Sequence, residues 1–278
     1  MANQFFAGRH GGVLAIRPRG PHTVAPVSID PGWPVAIALA LLLAVALAAH
    51  RVAGYDLERP VLVAAVRAIV QLGLAAVLIA AVVDSLPWSV ALVCVMFAMG
   101  VLTTSRRVEA PRAWSWAALA MAAGVLPVLA IVLATGTIPP TGIAVIPVAG
   151  IIVGNAMTAH TLVGRRAFAA LREEHSQYEA SLSVGLLPRQ AIREIVHRRA
   201  PEALLPGLDQ VKTTGVVTLP GAFIGVMLGG GSPVQAATAQ ALVLFGIMAA
   251  QTVTVAVAER LIAARRLLPA DLRVALID

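Results

Sequence analysis

Charge is scarce in this sequence. Only 13% of its 278 residues are Asp, Glu, Lys or Arg, against ~25% in a typical soluble domain. With 59% hydrophobic residues and a mean hydropathy of +0.85, the chain has too little polar surface to coat a soluble particle, and lipid is the solvent that removes the difficulty. Cysteine is reduced to Cys94, inside a hydrophobic run, which excludes an intrachain disulfide. Aromatic residues make up only 4%. The apolar segments are therefore built from Ala, Val, Leu and Ile, a composition that lets membrane helices approach closely. Lysine is nearly absent, Lys212 standing alone, so arginine carries the net charge of +7. These arginines are spread over several loops and form no single block, which argues against a nucleic-acid partner. In a membrane protein the same charge holds loops inside and meets anionic lipid. The phosphate loop G-x-x-x-x-G-K-[ST], H-E-x-x-H and G-x-S-x-G are missing, as are paired carboxylates within the apolar runs. No catalytic constellation is present, and no ATP or other cofactor is expected on this chain.

What is present is a series of apolar runs. A spanning helix needs ~20 mostly apolar residues, and seven segments qualify or nearly do: 33–49, 61–83, 86–102, 114–134, 141–163, 214–228 and 236–258. The sixth is short and interrupted by Pro220 and Gly221. The second and third are joined only by Asp84-Ser85 and must form a tight hairpin. Ahead of them, residues 1–32 are polar and rich in Gly and Pro, a disordered tail by composition. The rest, 33–278, reads as one transmembrane domain. Arginines fall in alternate loops: Arg51 and Arg59, then Arg106, Arg107 and Arg112, then a dense set from Arg165 to Arg199 closed by Lys212, then Arg260 to Arg273. The intervening loops 84–85, 136–140 and 229–235 have neither Lys nor Arg. This alternation predicts a multi-pass protein of the cell (inner) membrane with the N-terminus outside and the C-terminus cytoplasmic. The tail arginines Arg9, Arg17 and Arg19 are the exception.

The loop over 165–212 is the most informative segment. Phe168, Leu171, Tyr178 and Leu182 form a helical stripe in which His175 occupies the missing position, opposite Arg172, Glu173, Glu174 and Gln177. This helix is too polar to span. It is expected to stop near Gly185, and Pro188 fits the first turn of a second helix bearing Ile192, Ile195 and Val196 on one side. The expected product is a cytoplasmic helix–turn–helix, the shape of a docking element.

Glu179-Ala180-Ser181-Leu182-Ser183-Val184-Gly185, followed by Ile195, resembles the E-A-A-x3-G-x9-I loop of ABC-transporter permeases, with Ser181 in place of the second Ala and the Leu-Pro appearing later as Leu205-Pro206. Further stretches carry a more specific resemblance. They are Gly154-Asn155-Ala156-Met157-Thr158, Glu179 to Pro188, Val217-Thr218-Leu219-Pro220-Gly221 with Gly225, Gly230-Gly231-Ser232-Pro233 with Gln240, and Arg67 with Val70-Gln71-Leu72-Gly73. Over roughly residues 60 to 278 the chain is similar to the permease family that includes bacterial iron exporters and plant aluminium-tolerance proteins. The resemblance implies an all-α permease subunit, paired as a homodimer with two separate cytoplasmic ATPase subunits and exporting iron or a related metal species. It implies that Glu179, Ala180, Gly185, Pro188 and Ile195 couple to the ATPase. Another polar solute, such as a nucleotide sugar, is the alternative the plant members allow. An ion-coupled carrier without an ATPase would need buried carboxylates, which the spans lack.

Polar residues inside the spans need a reason, since a charge at the helix centre costs ~2.5–3.5 kcal/mol on insertion scales. Arg67 is the only charge well inside an apolar run, and Gln71 lies four residues on, on the same helix face. Arg67 can snorkel to the inner interface, but the face it shares with Gln71 favours an inward-facing polar stripe that pairs within the bundle. Asn155, Thr158, His160 and Thr161 gather in the fifth segment, as interhelical hydrogen-bonding groups or as part of a path. Met157 and Met99 are candidate soft ligands or packing groups. His160, His175 and His197 lack carboxylate or cysteine neighbours at metal-site spacing, so no defined metal site is assigned. The candidate pathway residues are Arg67, Gln71, Asn155, Met157 and Thr158. Pro220 with Gly221 and Gly225 is a candidate hinge and close-packing point.

Overall fold

A computed structural model describes residues 32–276. Of the expected N-terminal tail only Gly32 falls within the described residues. The described chain is helical throughout, with no sheet and a single isolated bridge between Thr214 and Thr218.

Six helices are long and apolar enough to cross a bilayer: α1 (Trp33–Ala53), α2 (Glu58–Val82), α3 (Leu86–Arg107), α4 (Trp114–Ala134), α5 (Gly142–Glu173) and, near the end, α10 (Pro233–Ala263). Between α5 and α10 lie α6 (His175–Ser183), α7 (Pro188–Arg199), a 3-10 turn over Ala200–Ala203, α8 (Leu205–Thr213) and α9 (Gly221–Leu228), and the chain closes with α11 (Ala270–Ala275). The hairpin expected at Asp84-Ser85 is present. Ser85 N–H bonds the Val82 carbonyl at 3.0 Å, and Ser89 Oγ bonds the same carbonyl at 2.9 Å, tying the first turn of α3 to the end of α2.

Two expectations are corrected. The sixth segment, read as a span over 214–228, is not a continuous helix. At 1.5 Å per residue, α8 and α9 are each about 12–14 Å long, under half of the ~30 Å hydrocarbon core. The break has local causes. Pro220 has no N–H to continue a helix, and Gly215 takes φ +87. Residues 213–218 satisfy their own backbone instead: Gly215 N–H bonds the Thr218 carbonyl at 2.8 Å and Val217 N–H bonds that of Thr213 at 2.9 Å. Both short helices pack on α10, and only four residues separate α9 from α10. Residues 205–232 therefore climb the length of α10 as a broken crossing beside six continuous ones. The second correction concerns the long loop. Its first helix does not start anew after Val163, because α5 runs on to Glu173, about 48 Å in all. A break at Glu174 then sets off α6.

Most side chains in the buried core come from α3, α4, α5, α7 and α10. Met121, Ile152, Phe168, Leu171, Ile192, Ile195 and Ile262 are all essentially inaccessible. α10 packs on both α4 and α5, and α3 packs on α5. α1 and α2 bury no residue and present Leu41, Leu42, Val66, Ile69 and Val70 outward. In water that exposure would be ruinous, and in lipid it is the ordinary condition of a spanning helix.

Candidate functional site

Two groups of polar residues stand apart from the apolar packing. One is the elbow between α6 and α7. α6 ends where the sequence places its stop. Gly185 N–H bonds the Leu182 carbonyl at 2.9 Å, and Leu186 N–H bonds that of Ser181 at 3.1 Å. This is the paired closure of a helix C-terminus that requires a left-handed residue, and Gly185 supplies φ +94. Pro188 opens α7, and Leu187 N–H is capped by Gln190 Oε1 at 3.0 Å. The four-residue periodicity of α7 buries Ala191, Ile192, Ile195 and Val196 completely, while Arg189, Arg193, Arg198 and Arg199 stay outside. α7 lies on α5 and α10, so the elbow is fastened to the two longest spans.

Charge holds the elbow from the other side. Arg198 and Arg199 both reach Glu174, at 2.9 and 3.2 Å. The Glu174 hydrogen bond raises the Arg199 pKa further above its usual value. Arg166 bonds Glu202, and His197 Nδ1 meets Glu259 of α10 at 2.9 Å. The chain's end closes the assembly. Leu267, Leu268, Leu272 and Leu276 are buried, Tyr178 Oη donates to the Leu276 carbonyl at 3.4 Å, and Arg172 Nε donates to Asp271 at 2.8 Å. That guanidinium holds the Asp271 carboxyl below the usual carboxylate range.

What remains exposed at the elbow tip is Glu179, Ala180, Val184, Gly185 and Leu187. A groove behind it is lined by Val184, Leu186, Gln190, Arg193 and His197. Of the five residues expected to couple to an ATPase, Glu179, Ala180 and Gly185 are exposed. Glu179 lies 3.6 Å from His175 Nδ1. Pro188 is half-buried at the head of α7. Ile195 is fully buried, so its part is to anchor α7 to the bundle rather than to touch another chain.

The second group is a polar network inside the bundle. Gln251 of α10 is buried and donates from Nε2 to Asn155 Oδ1 of α5 at 3.4 Å. Gly207 of α8 sits directly over Gln251: a Cβ there would come within 2.1 Å of Gln251 Oε1. One amide therefore ties the long spans to the broken crossing. Next along α5, Thr104 Oγ1 of α3 lies 2.9 Å from His160 Nδ1 and 2.8 Å from Thr161 Oγ1. Asn155 thus joins a network, whereas Met157 is half-buried and Thr158, exposed, bonds the Gly154 carbonyl at 3.0 Å. Arg67 and Gln71 do not face into the bundle, contrary to the inward-facing stripe expected of them. They lie on the open face of α2, beside Leu62, Val66 and Val70, and share no hydrogen bond with Asn155. Pro220 stands at the N-terminus of α9, and an added Cβ at Gly221 or Gly225 would meet nothing within 4 Å, so the close packing expected there is not made within one subunit. Among the described residues no group of three or more His, Cys, Asp or Glu is arranged to hold a metal.

Sequence reasoning passed over Gln251, Gly207 and the α11 brace. Gln251 was findable by the rule that singled out Arg67, a strongly polar residue within an apolar run. Gly207 and Asp271 carry no local signal, because their partners are 44 and 99 positions away.

Comparison with known proteins places the chain among membrane proteins. A family model described as uncharacterised protein family UPF0014 matches residues 33–267. The UPF0014 membrane protein STAR2 of Oryza sativa subsp. japonica is 33% identical over 80% of this chain and 78% of its own length. Protein ALUMINUM SENSITIVE 3 of Arabidopsis thaliana is 33% identical over 56% of this chain and 57% of its own length. The protein named probable iron export permease protein FetB in Escherichia coli (strain K12) is 30% identical over 81% of this chain and 87% of its own length. No solved structure gives a significant match.

Proposed function

This chain belongs to the UPF0014 membrane protein family, and from that premise we propose that it is the permease subunit of an ABC transporter, driven by a separate ATPase chain and exporting iron or a related metal species. The observation that carries the reading is the elbow. A left-handed Gly185 turn presents Glu179, Ala180, Val184 and Leu187 outward, while α7 behind it is fastened to α5 and α10. A push on that tip is transmitted to the two longest spans. α10 passes it to α8 through Gln251 and Gly207, so the broken crossing, with Pro220 at its bend, is the element able to change access. A homodimer with two ATPases completes the path, and the alternating arginines support a cytoplasmic elbow and C-terminus. The metal assignment draws on the printed name of the Escherichia coli relative.

Arg67 favours a second cargo. It is the one charge deep in a span, it stands one turn from Gln71, and both face out of the subunit. Should pairing of two copies bring that face onto the transport path, its guanidinium would suit an anionic or polar solute better than a bare cation. The test is a strain lacking this gene and the gene of its co-purifying ATPase, grown in iron excess. Accumulated iron or peroxide sensitivity, restored by the permease with its ATPase, supports the export of a metal species. Normal metal content moves the assignment to the polar solute, and failure to recover any ATPase with the tagged permease removes the ABC reading itself.

A further inference from the structure

The arginines at the ends of the spans are unequally occupied. Arg166, Arg172, Arg198 and Arg199 each have a carboxylate partner. Arg107 and Arg165 have none among the described residues: Arg165 donates from Nε to the Arg107 carbonyl at 3.3 Å, which leaves its two terminal nitrogens for something else. Both stand where an apolar run ends. Arg107 is the last residue of α3, and Arg165 follows the buried Val163 and Gly164 of α5. At 1.5 Å per residue, Arg107 and Arg165 stand about 32–35 Å from the far ends of α3 and α5, about the ~30 Å thickness of the hydrocarbon core.

Between them is a pocket of about 180 Å³ lined by Arg107, Val108, Glu109, Arg165, Phe168 and Arg172. Val108 and Phe168 close its inner side and are themselves buried, 2% exposed each. Its walls are brought close by Gly164, where a Cβ would come within 2.7 Å of Val108 Cγ1. Glu109 turns the chain around the rim in a left-handed conformation, φ +59, uncommon for a residue other than glycine. Its carboxylate is taken by Arg172 at 3.2 Å. Three guanidiniums therefore face one lining carboxylate, and the uncompensated charge sits on Arg107 and Arg165.

Two arginines without a carboxylate partner among the described residues, where the apolar runs end, match the phosphate of a lipid whose chains lie in the adjoining hydrocarbon. The phosphodiester oxygens accept charge-assisted hydrogen bonds from Arg107 and Arg165, while the acyl chains stay in the surrounding hydrocarbon. We propose that the cleft between the ends of α3 and α5 is a binding site for the phosphate headgroup of an anionic phospholipid. The proposal needs only that the chain spans a bilayer, and stands apart from the ATPase and cargo assignments. Basic pockets between spanning helices have this chemistry in general, each arginine near the surface contributing enough for about a fivefold change in affinity.

The full chain, purified in phosphatidylcholine nanodiscs doped with phosphatidylglycerol, is the material for the test, and lipid retained per subunit by native mass spectrometry is the readout. Arg107→Gln with Arg165→Gln should bind phosphatidylglycerol about 30-fold more weakly, each single variant showing about a fivefold loss. Arg51→Gln with Arg59→Gln removes the same charge elsewhere at the same end of the bundle and should change nothing. Inorganic phosphate at matched concentration should fail to displace the lipid, since it lacks the apolar half of the ligand. Undiminished lipid retention in the Arg107/Arg165 variants, an equal loss in the Arg51/Arg59 variant, or displacement by inorganic phosphate would each overturn the proposal.

Discussion

Replacing Gly185 separates the handedness of the elbow from its size. An added Cβ would meet no atom within 4 Å, so the cost of a side chain there is backbone strain alone. At φ +94 an L residue with a Cβ is disfavoured by about 1–2 kcal/mol, whereas Asn, whose side chain bonds locally, tolerates left-handed backbone best. A β-branched residue is worse than Ala. At 1.4 kcal/mol per decade, Gly185→Ala shifts the equilibrium away from the native turn by about tenfold, and Gly185→Val by more. The anchors behind the turn, Ile192, Ile195 and Val196, remain buried and contribute about 1.5–3 kcal/mol each, so every variant should insert normally. The assay is the ATPase recovered per tagged permease from membranes containing equal amounts of each variant. The expected order is Gly, then Asn, then Ala, with Val lowest. Val recovering as much ATPase as the native protein would refute the docking role. Asn falling as low as Val would mean that bulk at the tip matters and handedness does not.

Three further outcomes are expected. Arg67→Lys should insert and assemble normally yet lose most transport-dependent resistance, because lysine cannot reproduce the planar set of donors; full resistance would return Arg67 to snorkelling. A phosphatase active only outside, fused after Asp278, should give no signal, and a strong one would reverse the orientation proposed from the arginine loops. The Arg172–Asp271 pair should loosen in acid. The Asp271 carboxyl is depressed in the folded state, so its contribution is complete above the ordinary carboxylate value of ~3.9 and is lost as pH falls through the lowered one. With both side chains about half exposed, the effect is at most about 1 kcal/mol. Hydrogen exchange over residues 267–276 should quicken in that window and should have no such step in Asp271→Asn; a wild-type protein without the step would contradict the pairing.

Much of this architecture was legible without coordinates. Apolar runs of about 20 residues demanded spans, Asp84-Ser85 demanded a hairpin, and Gly185 followed by Pro188 marked an elbow whose inner face was already visible in Ile192, Ile195 and Val196. Each is a local property, written within a few turns of helix, where periodicity and backbone preference act alone. The continuation of α5 to Glu173 escaped that logic because charge from Arg165 onward reads as an exit from the membrane, although a helix can leave the bilayer without ending.

By itself, then, the sequence determined that this is a polytopic helical membrane protein with a polar elbow at its arginine-rich end. Tertiary structure decided which faces meet. It set Gln251 between Asn155 and Gly207, His197 against Glu259, Arg172 against Asp271, and left Arg67 facing outward. The physical reason is that helix formation depends on neighbours three and four residues away, whereas the rotation and depth of one helix against another follow from packing between segments far apart in the chain.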